Sequence, residues 1–384
     1  MILATRFTRC ATATGGFLLL AAACSPTVTP TPSPSPSPGA SPVSAPRTAG
    51  MPPSPLVPTT WGMHTNEGVD LWLHSFAMLS PDTMLVPYFE RGYRERMTTL
   101  RRNRGVSSLL DTNRPTLVGR FTANPSLATT GQFVPLYFES WEQLRRMIEL
   151  FTRSGGNPNS VSDPATRTAF AILAASFPSA ADREWLRLFA TSVEDERVRF
   201  YHDYWSEQQR LRAPLMSHVD SLWQLQWRPS LQRFLNNSQQ QNGELCLSLP
   251  LGGEGRTIHF GKQENAVAVD FPDTRDESEV ALYVFVHEVA GSVASAAIAD
   301  NTTPAEQRSG ATARYEQSAA VRAGALLLER TIPNAVPGYM RYYLKQAGRT
   351  PPTEPRAAFV TAFAIPDAVR DAIGRQLDVI LGGI

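Results

Sequence analysis

The sequence predicts an α+β fold that is predominantly α-helical: a helical N-terminal region, then a small, mainly antiparallel sheet, then a pair of packed helices. Three observations carry this. Between Thr59 and Pro229 apolar residues recur at spacings of three and four, as on one face of a helix. After Asn236 the pattern changes to three short apolar or alternating runs separated by turn residues. Directly behind them stands Ala281 to Asp300, ALYVFVHEVAGSVASAAIAD, apolar or small almost throughout, with His287 and Glu288 at its centre.

The chain divides into four parts. Residues 1–24 read as a bacterial lipoprotein signal peptide, with Arg6 and Arg9 ahead of the apolar run Phe17 to Ala23. That run is too short to span a bilayer, which takes about 20 apolar residues. Leu20-Ala21-Ala22-Ala23-Cys24 resembles the lipobox, and Cys24 is the expected lipidation site, although the favoured Leu stands one place further from the Cys than usual. An ordinary signal peptide with small residues at its cleavage site is the alternative. Residues 25–58 form a Pro/Ser/Thr-rich tether holding twelve of the chain's 31 prolines, a composition that cannot bury a core and favours extended polyproline II. Lipid and spacer together predict a domain held at a membrane of the bacterial cell envelope. Ser25 after the Cys resembles the outer-membrane sorting signal of Gram-negative bacteria.

The remainder falls into a helical region, 59–235, and a sheet-and-helix region, 236–384. Charge is nearly balanced, 36 basic against 35 acidic residues, with no basic stripe, which argues against nucleic acid as a partner. Once Cys10 leaves with the signal and Cys24 carries lipid, only Cys246 remains, so neither a disulfide framework nor a Cys-based metal site is available. No Gly-rich phosphate loop or Ser-centred nucleophile elbow occurs.

In the helical region the expected helices are Val69 to Leu79, Trp141 to Phe151, Ala165 to Phe177, Asp182 to Leu211 and Leu215 to Leu235. Trp185, Trp205, Trp223 and Trp227 at helical spacing read as packing anchors, and His74, among Leu71, Ala77 and Met78, as a satisfied core histidine. The expected strands are Glu244 to Leu251, Arg256 to Phe260 and Ala266 to Phe271.

Two capping boxes follow, Thr274 to Glu277 before the His-Glu helix and Thr303 to Glu306 before a second long helix reaching about Arg330. Shorter helices from Gly338 to Gln346 and from Pro366 to Leu381 close the chain. His287 and Glu316 each project from an apolar helix face. A buried charge on such a face costs several kcal/mol unless it is paired. The two helices are therefore expected to bring His287 and Glu316 together, directly or through a metal.

Short sheet, helix with His-Glu, turn, second helix with a Glu: this arrangement resembles the zincin metallopeptidases of the branch whose third zinc ligand is a Glu on the following helix. The resemblance implies His287 as first metal ligand, Glu288 as general base, Glu316 as third ligand, and Ala266 to Phe271 as the edge strand along which a peptide lies. It departs from the family motif H-E-x-x-H at Gly291, where the second ligand should stand. The implied function is a membrane-anchored envelope lipoprotein with a zincin-like, non-catalytic domain that needs no cofactor and binds peptides or partner proteins. In that case His287–Glu316 holds two helices in register and Glu288 pairs a basic residue such as Arg322. One alternative is an active zinc metallopeptidase with a variant ligand set, drawing on another histidine (His64, His74, His202, His218 or His259). A helical envelope scaffold unrelated to peptidases is the other.

Overall fold

The computed structural model describes residues 58–81, 84–260 and 264–382. The signal peptide, Cys24 and all but the last residue of the tether lie outside the described residues.

The first described element is a strand, β1 (Thr60–His64). Helices α1 (Glu67–Leu79), α2 (Tyr93–Asn103), α3 (Leu109–Ala123), the single turn α4 (Leu127–Thr130), α5 (Trp141–Arg153) and α6 (Pro164–Ser176) follow. α7 (Ala180–Glu196), α8 (His202–Leu222) and α9 (Arg228–Asn237) then run end to end. They are joined by two wider, π-type turns, Arg197–Tyr201 and Trp223–Trp227, so the separate helices expected here are one continuous rod. After the sheet strands β2 (Asn242–Ser248), β3 (Arg256–Phe260) and β4 (Glu264–Asp270) come α10 (Glu279–Asp300), α11 (Pro304–Arg308), α12 (Ala313–Thr331), α13 (Val336–Gln346), α14 (Arg356–Ala362) and α15 (Asp367–Ile380).

The sheet order is β1-β2-β4-β3. β1 runs parallel to β2 and β2 parallel to β4, and only β3 is antiparallel, to β4. This corrects the expectation of a mainly antiparallel sheet. There are two reasons: β4 inserts between β2 and β3 and so runs parallel to β2, and β1 pairs Thr60 with Asn242 across the whole helical region, tying the first part of the chain into the sheet of the second. β4 is an interior strand because β2 and β3 pair on its two sides. The antiparallel edge is β3, not Ala266 to Phe271.

Register fixes what each face does. Leu245, Val267 and Thr257 lie in one row across β2, β4 and β3, and that face packs on α10. On the opposite face Arg256 and Ile258 of β3 are covered by the 3-10 segment Gly131–Tyr137. α10 is buried along most of its length and lies against α12, β4 and α15. Phe285 fixes it by edge contacts to Trp61 at 5.0 Å and Trp223 at 4.7 Å. By length and composition Arg275–Asp300 could cross a membrane, but it is enclosed as the central helix of this fold.

The two capping boxes fare differently. Thr274 bonds the Glu277 carboxylate at 3.1 Å, but those residues form a separate 3-10 turn, and α10 starts beyond it without a side-chain cap. Thr303–Glu306 caps as expected, with both reciprocal bonds. Its helix stops at Arg308, and α12 is a new helix, because Gly310 takes a left-handed conformation (φ 70°) between them.

Candidate functional site

Glu288 is the best-held side chain in the middle of α10. Its Oε1 accepts from the backbone N–H of Gly255 at 2.8 Å and lies 3.0 Å from His287 Nδ1. Oε2 accepts from the Thr257 hydroxyl at 2.7 Å. The turn Gly252-Gly253-Glu254-Gly255 therefore serves the site as well as reversing the chain. A Cβ on residue 255 would stand 2.6 Å from the Ala268 carbonyl oxygen and 2.7 Å from Glu288 Cγ, so only glycine lets the β3 backbone come this close.

The surrounding groups are charged and enclosed. Arg256, 1% exposed, donates to Gln132 Oε1 at 2.8 Å and to the carbonyls of Glu254 and Gly255 at 3.2 and 2.6 Å. Its guanidinium carbon sits 4.6 Å from the centre of the Tyr88 ring and 5.4 Å from that of Phe89, contacts that favour a desolvated cation. Glu254 accepts from Gln317 Nε2 at 3.3 Å, and burial pushes its carboxyl up to about 7 against the opposing pull of Arg256.

Burial acts on His287 and Glu288 to disfavour charge, but each offsets it in the other. Glu288 raises the imidazole of His287 above its ordinary value, with Glu254 adding to the effect. His287, Thr257 and Arg256 hold the Glu288 carboxyl below its ordinary value. The pair is thus biased towards imidazolium and carboxylate. One valence is left over: His287 Nε2 is buried and has no hydrogen-bond partner, beside the Tyr343 ring stacked at 5.5 Å.

The other site residues named from the sequence stand elsewhere. α12 packs along α10 as expected, yet no hydrogen bond or ion pair among the described residues joins Glu316 to His287. Glu316 is half-buried in the first turn of α12 and accepts from Thr312 Oγ1 at 2.6 Å. The residue of α12 that reaches the cluster is Gln317, one step round the helix. Arg322 lies over Phe359 at 5.9 Å, and the basic neighbour of Glu288 is Arg256 instead. At Gly291 an added Cβ would meet nothing within 4 Å.

The remaining histidines have their own surroundings. His74 is satisfied at both nitrogens, by Tyr93 at 3.0 Å and Glu196 at 3.2 Å, as its apolar setting predicts. His202 bonds Glu67 at 2.9 Å, His259 bonds Asn265, and His64 lies 3.8 Å from Glu244. Cys246 is a buried residue of β2.

A catalytic zinc needs three protein ligands and an open position. Among the described residues no three His, Cys, Asp or Glu side chains converge in this way. The residues around His287 do not fit a catalytic zinc: Glu316 bonds elsewhere, Gly291 has no side chain, and Glu288 is engaged by three donors.

Sequence reasoning missed Gly255, Thr257, Glu254 and Arg256 as parts of this cluster. The available signal was a glycine turn followed at once by a buried strand with a charged first residue.

Comparison with known proteins gives no match: no family model, no curated protein and no solved structure is similar to this chain.

Proposed function

We propose that this chain is a membrane-anchored lipoprotein of the bacterial envelope whose folded part is a zincin-like, non-catalytic domain that binds extended peptides or partner proteins. The observation that carries the reading is the antiparallel edge strand β3 bonded directly to the His287–Glu288 pair through Gly255 and Thr257. A peptidase would use such a Glu to activate water. Here both carboxylate oxygens accept from donors of the protein itself, which supports a role in anchoring the edge strand. β3 is the last strand of the sheet, and its outer side can receive a further strand by backbone hydrogen bonding. Lipid on Cys24 and the Pro-rich tether would present that edge at the membrane surface.

The test is selection of binders from a random heptapeptide library on the full-length protein, followed by N-methylation at alternate backbone nitrogens. Selected peptides should lose affinity by about ten-fold or more when the methylated nitrogens are those that pair with a strand. Substitution of Thr257 and His259 should alter the selection. Binders indifferent to both changes would overturn the proposal.

A further inference from the structure

On the face of the sheet opposite His287, the described residues leave part of the sheet uncovered. Register places His64 of β1, Glu244 and Cys246 of β2, and Glu264 and Ala266 of β4 on that face. The 3-10 segment Gly131–Tyr137 covers the β3 end, and beyond it these five, with Cys246 buried, line a recess of about 700 Å3. Its walls are the start of α1, from Asn66 to Val69, and the stretch from Leu136 to Glu142.

The walls are built, not frayed. Asn66 caps α1 through bonds to the N–H groups of Gly68 at 2.8 Å and Val69 at 3.3 Å, and its Nδ2 reaches across to the Glu139 carbonyl at 3.2 Å. A Cβ on residue 68 would stand 2.7 Å from the Trp141 backbone nitrogen, so the two helix starts are locked at closest approach.

The charge of the recess has one sign. Glu67, Glu139, Glu142, Glu244 and Glu264 line it. Arg197, re-aimed by the π-type turn of the long helix, pairs Glu67 at 2.9 Å and Glu142 at 3.4 Å. Glu244 has only His64 at 3.8 Å, and Glu139 and Glu264 have no ion pair among the described residues. Leu136, Tyr137 and Phe138 add an apolar flank. Carboxylates on a pleated floor beside aromatic rings complement a cation on a long aliphatic stem.

We infer that this uncovered sheet face is a second binding surface, and that its occupant is an extended peptide segment bearing lysine or arginine side chains. The stems would lie on the Leu136–Phe138 flank and the cationic heads on Glu244 and Glu264. It lies across the sheet from the His287 site and does not depend on it.

The experiment uses the full chain and a fluorescent alternating Lys-Ala peptide, read by anisotropy at low salt. The Glu244→Gln, Glu264→Gln double variant should weaken binding about ten-fold. Both side chains are solvent-accessible at the floor of the recess, so thermal unfolding should match the parent protein. The Asp367→Asn, Asp371→Asn double variant removes the same charge from α15 and should leave affinity unchanged. The same peptide with acetylated lysines should not bind. Equal loss in the two double variants would mean diffuse attraction and overturn the inference. So would absence of binding, or spermine binding more tightly than the peptide.

Discussion

Two buried His-Glu pairs, one in each half of the molecule, are built to opposite ends. In the helical half, His74 uses both ring nitrogens, on Tyr93 and Glu196. Glu196 is also bonded by the Ser108 hydroxyl and paired with Arg101 at 3.2 Å, and Arg101 in turn holds Asp111. In the sheet half, His287 has one partner and one orphaned nitrogen, and Glu288 is bonded to an edge strand. Burial lowers the His74 imidazole, with Arg101 reinforcing it against Glu196. Glu288 and Glu254 carry His287 the other way. Both networks keep one buried nitrogen without a partner, Arg101 Nε in the first and His287 Nε2 in the second, but only in the second is it on the histidine itself, next to the terminal strand of the sheet.

The largest effect should come from breaking the His74–Glu196–Arg101 network. Glu196→Ala strands Arg101 and His74 in the core and should cost about 3–5 kcal/mol in urea unfolding. A loss below about 1 kcal/mol would mean that the network is not the keystone of the helical half.

Gly255→Ala attacks the other pair through packing alone. The added methyl meets the Ala268 carbonyl and Glu288, and should cost about 1–3 kcal/mol. It should also move the His287 titration down, back towards its ordinary value, because Glu288 is displaced from it. Wild-type titration in this variant would detach β3 from the pair.

The two histidines should also separate by pH, since a tenfold difference in proton affinity between folded and unfolded chain is worth about 1.4 kcal/mol. His287 is raised in the fold, so its contribution is full below the unfolded value of 6.5 and is lost as pH rises through the folded value. Glu288 is lowered, so its contribution is present above 4.5 and is lost as pH falls through the folded value. His74 is lowered, so the fold loses stability as pH drops below 6.5 and the unfolded chain takes up the proton. Side-chain NMR should find one imidazole titrating above the ordinary value and one below it. Two coincident titrations would erase the distinction.

The smallest effect belongs to Gly291. The site is open and lies within α10, so Gly291→Ala should stabilise by about 0.5–1 kcal/mol through helix propensity, measured by thermal unfolding. Destabilisation would mean that the gap is needed by the fold.

Much of this is legible in the chain. β2, β3 and β4 follow from short apolar runs between glycine and asparagine turns, and α5, α6, α13 and α15 from their spacing. β1 does not: TWGMH has no periodicity of its own, and its pairing with Asn242–Cys246 is a parallel contact across the whole helical region. The three remaining runs suggest an antiparallel meander, but β4 inserts between β2 and β3 and runs parallel to β2, an order that run spacing does not encode. The expected helices stop at Leu211 and restart at Leu215, on either side of Pro214, but the chain stays helical through that proline. At the site, face periodicity correctly predicts α10 against α12, but it cannot resolve which of two neighbouring residues points inward. Gln317 reaches the cluster and Glu316 finds Thr312 in its own first turn. The tie between Glu288 and Gly255 needs a backbone approach that no side-chain pattern encodes.

In the proposed role His287 and Glu288 hold an edge strand and do not hold a catalytic metal. Native mass spectrometry of the full-length protein, incubated with equimolar zinc and then desalted, addresses it most directly. No retained zinc should depend on His287. One zinc per chain, lost in His287→Ala, would contradict it.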